Sequence, residues 1–259
     1  MLVHEFVDGN KPAMVLIHGL LTPWQIWTPH IDAFRERYNI YVIALNAHTE
    51  EAASEFISVL AEAEEIIGYF KAKGMDTLDV LCGLSLGGKI GHEIWKSGRL
   101  RIRNLILDGA PLAACPKFAV TVMIKNYKDI IHMSKQRNPK VMRGFRNFLP
   151  EKYWDSYLKI ADLLSDRSIE NIVNSVFAGG ELKGADDESR ILFLHGTKAN
   201  EILSVRSAKL MKKHHPMTRV VCFHADAHCH KVIFQPEKWI EVVNDFLADH
   251  ESASGKCIG

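Results

Sequence analysis

Cys82-Gly83-Leu84-Ser85-Leu86-Gly87-Gly88 places one serine between pairs of small residues, a G-x-S-x-G pattern. Leu78 to Cys82 (LDVLC) before it is a short apolar run of the kind that forms a buried strand, and Leu86 to Trp95 after it reads as a helix. A turn sharp enough to join them and hold Ser85 outward leaves no room for side chains at Gly83 and Gly87. Gly88 gives slack where the helix packs on the strand. Read this way, Ser85 is a nucleophile. The chain must then also supply a base, an acid and an oxyanion hole.

Working outward, apolar runs alternate with helical patterns. Ala13 to Ile17 and Ile40 to Leu45 read as buried strands, and Leu2 to Val7 as an outer strand joined to the first of these through a hairpin at Asp8-Gly9-Asn10. Thr49 is the predicted cap of a helix with Glu50 and Glu51 in its first turn. Phe56, Val59, Leu60, Ala63, Ile66, Ile67 and Phe70 form its apolar stripe, and Gly74 is its stop. Ile102 to Leu107 is the next strand and ends at Asp108-Gly109. From Leu112 the pattern turns aromatic, basic and helical until Gly179-Gly180 and Asp186-Asp187-Glu188. Alternation then resumes with strands at Ile191 to Leu194 and Arg219 to Phe223, a helix near Ser204 to Lys213, and a closing helix from Pro236. The expected fold is therefore α/β, a mostly parallel central sheet flanked by helices on both faces. Residues 1–111 and 186–259 form the core, and residues 112–185 are an inserted helical lid at the ligand-binding edge.

Composition narrows the class. In 259 residues, 32 Lys and Arg nearly balance 31 Asp and Glu, so no net field favours nucleic acid. No apolar run reaches the length of a membrane span, and the N-terminus shows no signal-peptide pattern. Five cysteines without a framework spacing suggest free thiols and a cytoplasmic setting. The cluster Cys222, His224, His228, Cys229 and His230 has no standard zinc spacing, and neither a metal nor a cofactor is expected.

His18-Gly19-Leu20 follows the first central strand, where the backbone N–H of Leu20 can join that of Leu86 as a two-donor oxyanion hole. His228 lies in the loop after the last strand, placed to reach Ser85 as general base, with His224 and His230 as rivals.

On these residues, the HG pair, the GLSLG elbow and the Asp226-Ala227-His228 loop, the chain resembles the α/β-hydrolase fold superfamily of esterase, lipase and thioesterase type, over nearly its whole length. The resemblance implies Ser85 as nucleophile, His228 as base, and a small-molecule ester or acyl substrate cleaved through an acyl-enzyme. It also exposes a departure. The family usually places an Asp three residues after the Gly ending the penultimate strand, and here Gly196 is followed at that spacing by Ala199, then Asn200 and Glu201. Asp108, at the end of the strand after the elbow, ranks first as replacement acid, Glu201 second, and an Asn200-supported dyad third. The missing acid keeps a second reading open, that of a hydrolase-fold ligand-binding or signalling protein with little turnover. The lid aromatics (Phe118, Tyr127, Phe145, Phe148, Tyr153, Trp154, Tyr157, Phe177) are read mostly as the lid's own core.

Overall fold

A computed structural model describes residues 1–179, 182 and 188–254. Seven strands form one sheet: β1 (Leu2–Phe6), β2 (Ala13–Ile17), β3 (Asn39–Ala44), β4 (Thr77–Leu84), β5 (Arg101–Asp108), β6 (Arg190–Gly196) and β7 (Arg219–Phe223). Their order is β1-β3-β2-β4-β5-β6-β7, parallel throughout except for β1, which runs antiparallel to β3. All parallel strands therefore end on one edge. The helices are α1 (Thr28–Phe34), α2 (Val59–Ala72), α3 (Leu86–Ser97), α4 (Lys117–Lys135), α5 (Pro139–Phe145), α6 (Trp154–Leu163), α7 (Asp166–Phe177), α8 (Ile202–His214), α9 (His230–Phe234) and α10 (Pro236–Ser254). The expected strand–helix alternation is present, with α4 to α7 inserted between β5 and β6. Gly180, Asp186, Asp187, Cys257 and the expected core boundary at 185/186 lie outside the described residues.

Burial explains the sheet order. Every residue of β2 and β3 is buried, as is β4 from Val80 onward. Such strands read as continuous apolar runs because helices cover both faces. β1 is half-exposed along its length and sits at the edge. The expected β1–β2 hairpin is thereby corrected. β2 already pairs with β3 on one side and β4 on the other, so the antiparallel strand can only add outside β3.

A second correction concerns α2. It is capped by Ser58, whose side chain accepts from the Ala61 N–H, not by Thr49. The Thr49 hydroxyl instead donates to the Ala52 carbonyl in a turn. Tertiary contacts override the local helix signal here. The Phe56 N–H donates to Ser168 Oγ, and Asn171 Nδ2 donates to the Phe56 carbonyl, so α7 holds this segment extended. Leu60, expected on the stripe, is 62% exposed.

The elbow's glycines are required by backbone contacts. A Cβ on Gly83 would lie 2.2 Å from the Gly87 carbonyl oxygen, and one on Gly87 would lie 2.3 Å from that of Ile17. One on Gly88 would meet Ala110 Cβ at 2.8 Å. Between them Ser85 takes φ 51° and ψ −109°. That is a strained conformation for a side chain with a Cβ, costing roughly 1–3 kcal/mol. The Ser85 N–H donates to the Asp108 carbonyl (2.7 Å) and the Lys89 N–H to the Ser85 carbonyl (3.0 Å), so β5 on one side and α3 on the other hold the strain.

Candidate active site

Ser85 opens α3 at the carboxyl edge of the sheet, with His228 facing it from the loop between β7 and α9. The Ser85 hydroxyl lies 2.8 Å from His228 Nε2. The other ring nitrogen, Nδ1, lies 3.1 Å from Glu201 Oε2. An ionised carboxylate can only accept, so Nδ1 carries the hydrogen and Nε2 presents its lone pair to the serine hydroxyl. Burial tends to raise the Glu201 carboxyl pKa. The His228 hydrogen bond and charge, the Ser204 hydroxyl and the Gly196 N–H outweigh it and hold the group below the ordinary glutamate value. The Gly196 N–H donates to Oε1 at 3.0 Å.

Glu201, expected second as acid, contacts the imidazole, and Asp108, expected first, does not. Asp108 is buried, but its Oδ2 accepts from Trp239 Nε1 on α10 at 2.8 Å. His228 instead lies over the next residue. A Cβ on Gly109 would be 2.6 Å from His228 Cε1. The Asp108 side chain therefore sits one step below the imidazole, against the closing helix. Burial, reinforced by the nearby Glu201 charge, raises its carboxyl pKa to about 7. Asn200 is also corrected as ring partner, because its Oδ1 accepts from the His228 backbone N–H (3.3 Å).

Glu201 reaches the ring because Ala199–Glu201 form a 3₁₀ turn leading into α8. That turn and the extra methylene of Glu carry a carboxylate two residues beyond the usual position back under the imidazole. The two loops are tied together directly. The N–H groups of Thr197 and Lys198 both donate to the Asp226 carbonyl (3.1 and 3.0 Å), and the Ala225 N–H donates to Thr197 Oγ1 (2.8 Å).

The HG loop is held by side chains. Thr22 Oγ1 accepts from the Gly19 N–H (3.0 Å), and His48 Nε2 accepts from the Leu21 N–H (3.2 Å). The Leu20 N–H between them has no protein acceptor among the described residues. The Leu86 N–H, in the first turn of α3, has none either, as helix geometry requires. His18 braces the same loop: its Nε2 accepts from the Leu45 N–H (3.1 Å), so Nδ1 carries the hydrogen and donates to the Gly19 carbonyl (2.8 Å). The rings of His18 and His48 lie 5.1 Å apart. The role of His48 depends on the crossing of two loops distant in sequence, and no local pattern marks it.

Burial lowers the pKa of His18 to about 3 and of His48 to about 4, so both are neutral in the folded chain. An unfolded chain takes up these protons near pH 6.5, while the native state refuses them until the lower values. Stability therefore falls as pH drops from about 6.5 to 4, by up to about 1.4 kcal/mol per unit for each such histidine. Urea midpoints measured across that range are expected to decline, and to decline less steeply in His48→Gln. An identical slope in the variant counts against this account.

A cavity of about 750 Å³ opens over Ser85 and His228. Its floor is the sheet edge, and its roof includes Met123, Tyr127 and Ile130 of α4 and Phe145 of α5, with Phe148 and Phe177 beside them. Part of the aromatic set expected mostly to form the inserted helices' own core thus lines the cavity, while Tyr153 and Tyr157 are buried and Phe118 is 75% exposed. Trp24 stacks on His4 (4.0 Å) away from the cavity, and Trp27 is fully buried. His230 lines the cavity without reaching Ser85, and His224 is exposed on the far side of the loop.

The comparisons with known proteins agree with this architecture. No family model matches the chain. A curated pimeloyl-[acyl-carrier protein] methyl ester esterase from Nitrosomonas europaea is 22% identical over 109 residues, 40% of each chain. The match therefore spans about two fifths of that relative's length. An alpha/beta hydrolase family protein from Desulfitobacterium hafniense superposes with a TM-score of 0.72 at 19% identity, over 95% of this chain and all of that one. An esterase from Exiguobacterium antarcticum gives 0.72 at 18% identity, over 95% and 94% of the two chains. MenH from S. aureus gives 0.72 at 17%, over 96% and 98%. Among the described residues no helix is long and apolar enough to cross a membrane. With its strand order, its parallel edge and the strained serine turn after β4, the chain has the α/β-hydrolase fold.

Proposed function

We propose that the chain is a serine hydrolase that cleaves a carboxylic ester or thioester through an acyl-enzyme. The observation that carries this reading is the continuous hydrogen-bond line from Ser85 Oγ through His228 to buried Glu201. Ser85 Oγ attacks the acyl carbon as His228 Nε2 takes its proton. The carbonyl oxygen, now an oxyanion, accepts from the N–H groups of Leu20 and Leu86. Collapse breaks the bond to the alcohol or thiol, which leaves with the proton held on His228. Water then attacks the acyl-Ser85 carbonyl, giving its proton to His228, and the carboxylic acid departs as Ser85 regains its hydrogen. Glu201 keeps Nδ1 protonated and balances the imidazolium that forms twice in the cycle.

Residues 112–185 act in this scheme as the lid over residues 1–111 and 186–259, with α4 and α5 covering the acyl-binding space. The esterase names among the similar proteins favour ester over amide chemistry. The reading of a binding protein with little turnover rested on the missing acid, and the contact of Glu201 with His228 supports the hydrolase over it. The test is labelling with a fluorophosphonate probe. Wild type is expected to label and Ser85→Ala is not. Folded wild type that stays unlabelled returns the chain to the binding reading.

A further inference from the structure

Several polar groups line the cavity besides those of the proposed reaction. Its lining has no Lys, Arg, Asp or Glu among the described residues. The Thr22 and Ser204 hydroxyls donate to the carbonyls of Gly19 (2.9 Å) and Gly109 (3.3 Å). Asn147 and Asn200 are exposed at the mouth, where water serves them. His230 stacks on Phe234, with ring centroids 4.9 Å apart.

Tyr127 lies deeper, on the inserted helices that cover Ser85. Met123, Tyr127 and Ile130 recur at helical spacing on the face of α4 that lines the cavity. The Tyr127 phenol has no hydrogen-bond partner among the described residues. Two other half-buried or buried tyrosine hydroxyls are paired, Tyr157 with Ser134 Oγ at 2.8 Å and Tyr69 with Glu5 at 2.6 Å. Phenylalanine would serve packing at position 127 without a hydroxyl that needs a partner once water is displaced. Water that enters the cavity can satisfy that hydroxyl. Once an apolar ligand displaces the water, the partner must come from the ligand itself.

We propose that the substrate is an uncharged ester or thioester whose apolar body lies under α4 and carries one oxygen acceptor for the Tyr127 hydroxyl. The acceptor is an ether, carbonyl or hydroxyl oxygen, and Tyr127 determines specificity for it. A charged group in the same place would find no countercharge on the walls. Burial raises the phenol's pKa further, so it remains a neutral donor. The inference rests on the serine-hydrolase reading of Ser85.

The test uses p-nitrophenyl octanoate and analogues in which an ether oxygen replaces one chain CH₂ at successive positions, with a matching series varied in the alcohol. Wild type is expected to prefer an oxygen at one position over the parent ester. In Tyr127→Phe the ratio of kcat/KM for that analogue to the parent falls about fivefold, the scale of one neutral hydrogen bond. Using a ratio cancels any loss of folded protein. A flat profile in both wild-type series, or a preference unchanged in Tyr127→Phe, overturns the Tyr127 proposal alone. Absence of any turnover together with absence of fluorophosphonate labelling overturns the hydrolase reading, and this inference with it.

Discussion

Ser85→Ala is expected to lower kcat/KM for short p-nitrophenyl esters by about 10⁵-fold or more, leaving a residue of rate from the oxyanion donors and binding alone. The size follows from the role. Removing the hydroxyl deletes the bond-forming atom, and no neighbouring nucleophile replaces it. Cys82 and Cys229 are buried, and burial pushes both thiols well above their ordinary value, so neither supplies a thiolate. His228→Ala in the Ser85→Ala background is expected to cost little more, because the two groups act as a unit. The substitution should not unfold the chain. Alanine keeps the Cβ that already occupies the strained turn, and among the described residues the Ser85 hydroxyl hydrogen-bonds His228 alone. A Ser85→Ala enzyme with more than a tenth of wild-type activity places the chemistry elsewhere.

The second large effect separates the two carboxylates. Glu201→Gln is expected to lower kcat by about 10³- to 10⁴-fold, as an acid-to-amide change does when it leaves the histidine oriented but unbalanced in charge. Asp108→Asn is expected to change kcat by less than tenfold, since an amide oxygen can still accept from Trp239. Its visible effect is on stability. The Asp108 pKa of about 7 is above its ordinary value, so its stabilising share is complete at low pH and lost as pH rises through 7. Asp108→Asn removes that loss, and its denaturation midpoint should exceed wild type at pH 8 and match it near pH 4. Equal kinetic damage from both substitutions would reject Glu201 as the one acid. Greater damage from Asp108→Asn would restore the order expected from the sequence.

That reversed order marks where the sequence stops being informative. The elbow, the HG loop and the histidine loop were legible because each is local: small residues where a turn must be tight, an apolar run before, a helical stripe after. The carboxylate that contacts His228 was not legible because two of them lie at the same edge within one imidazole's neighbourhood. Which one meets the ring depends on a 3₁₀ turn and on which face of β5 the closing helix covers. Thr49 misled for a similar reason. Its cap signal is sound locally, and the hydrogen bonds of Phe56 to Ser168 and Asn171, more than a hundred residues away, outweigh it.

The sequence alone determined the layer architecture, the inserted helical segment, and the positions of Ser85 and His228, because hydrophobic period and glycine sterics act within a few residues. Only the tertiary structure decided that β1 joins β3, that Glu201 rather than Asp108 contacts the imidazole, and that Tyr127 lines the cavity. Those outcomes depend on how distant segments fill space around one another, and no local pattern of residues encodes that.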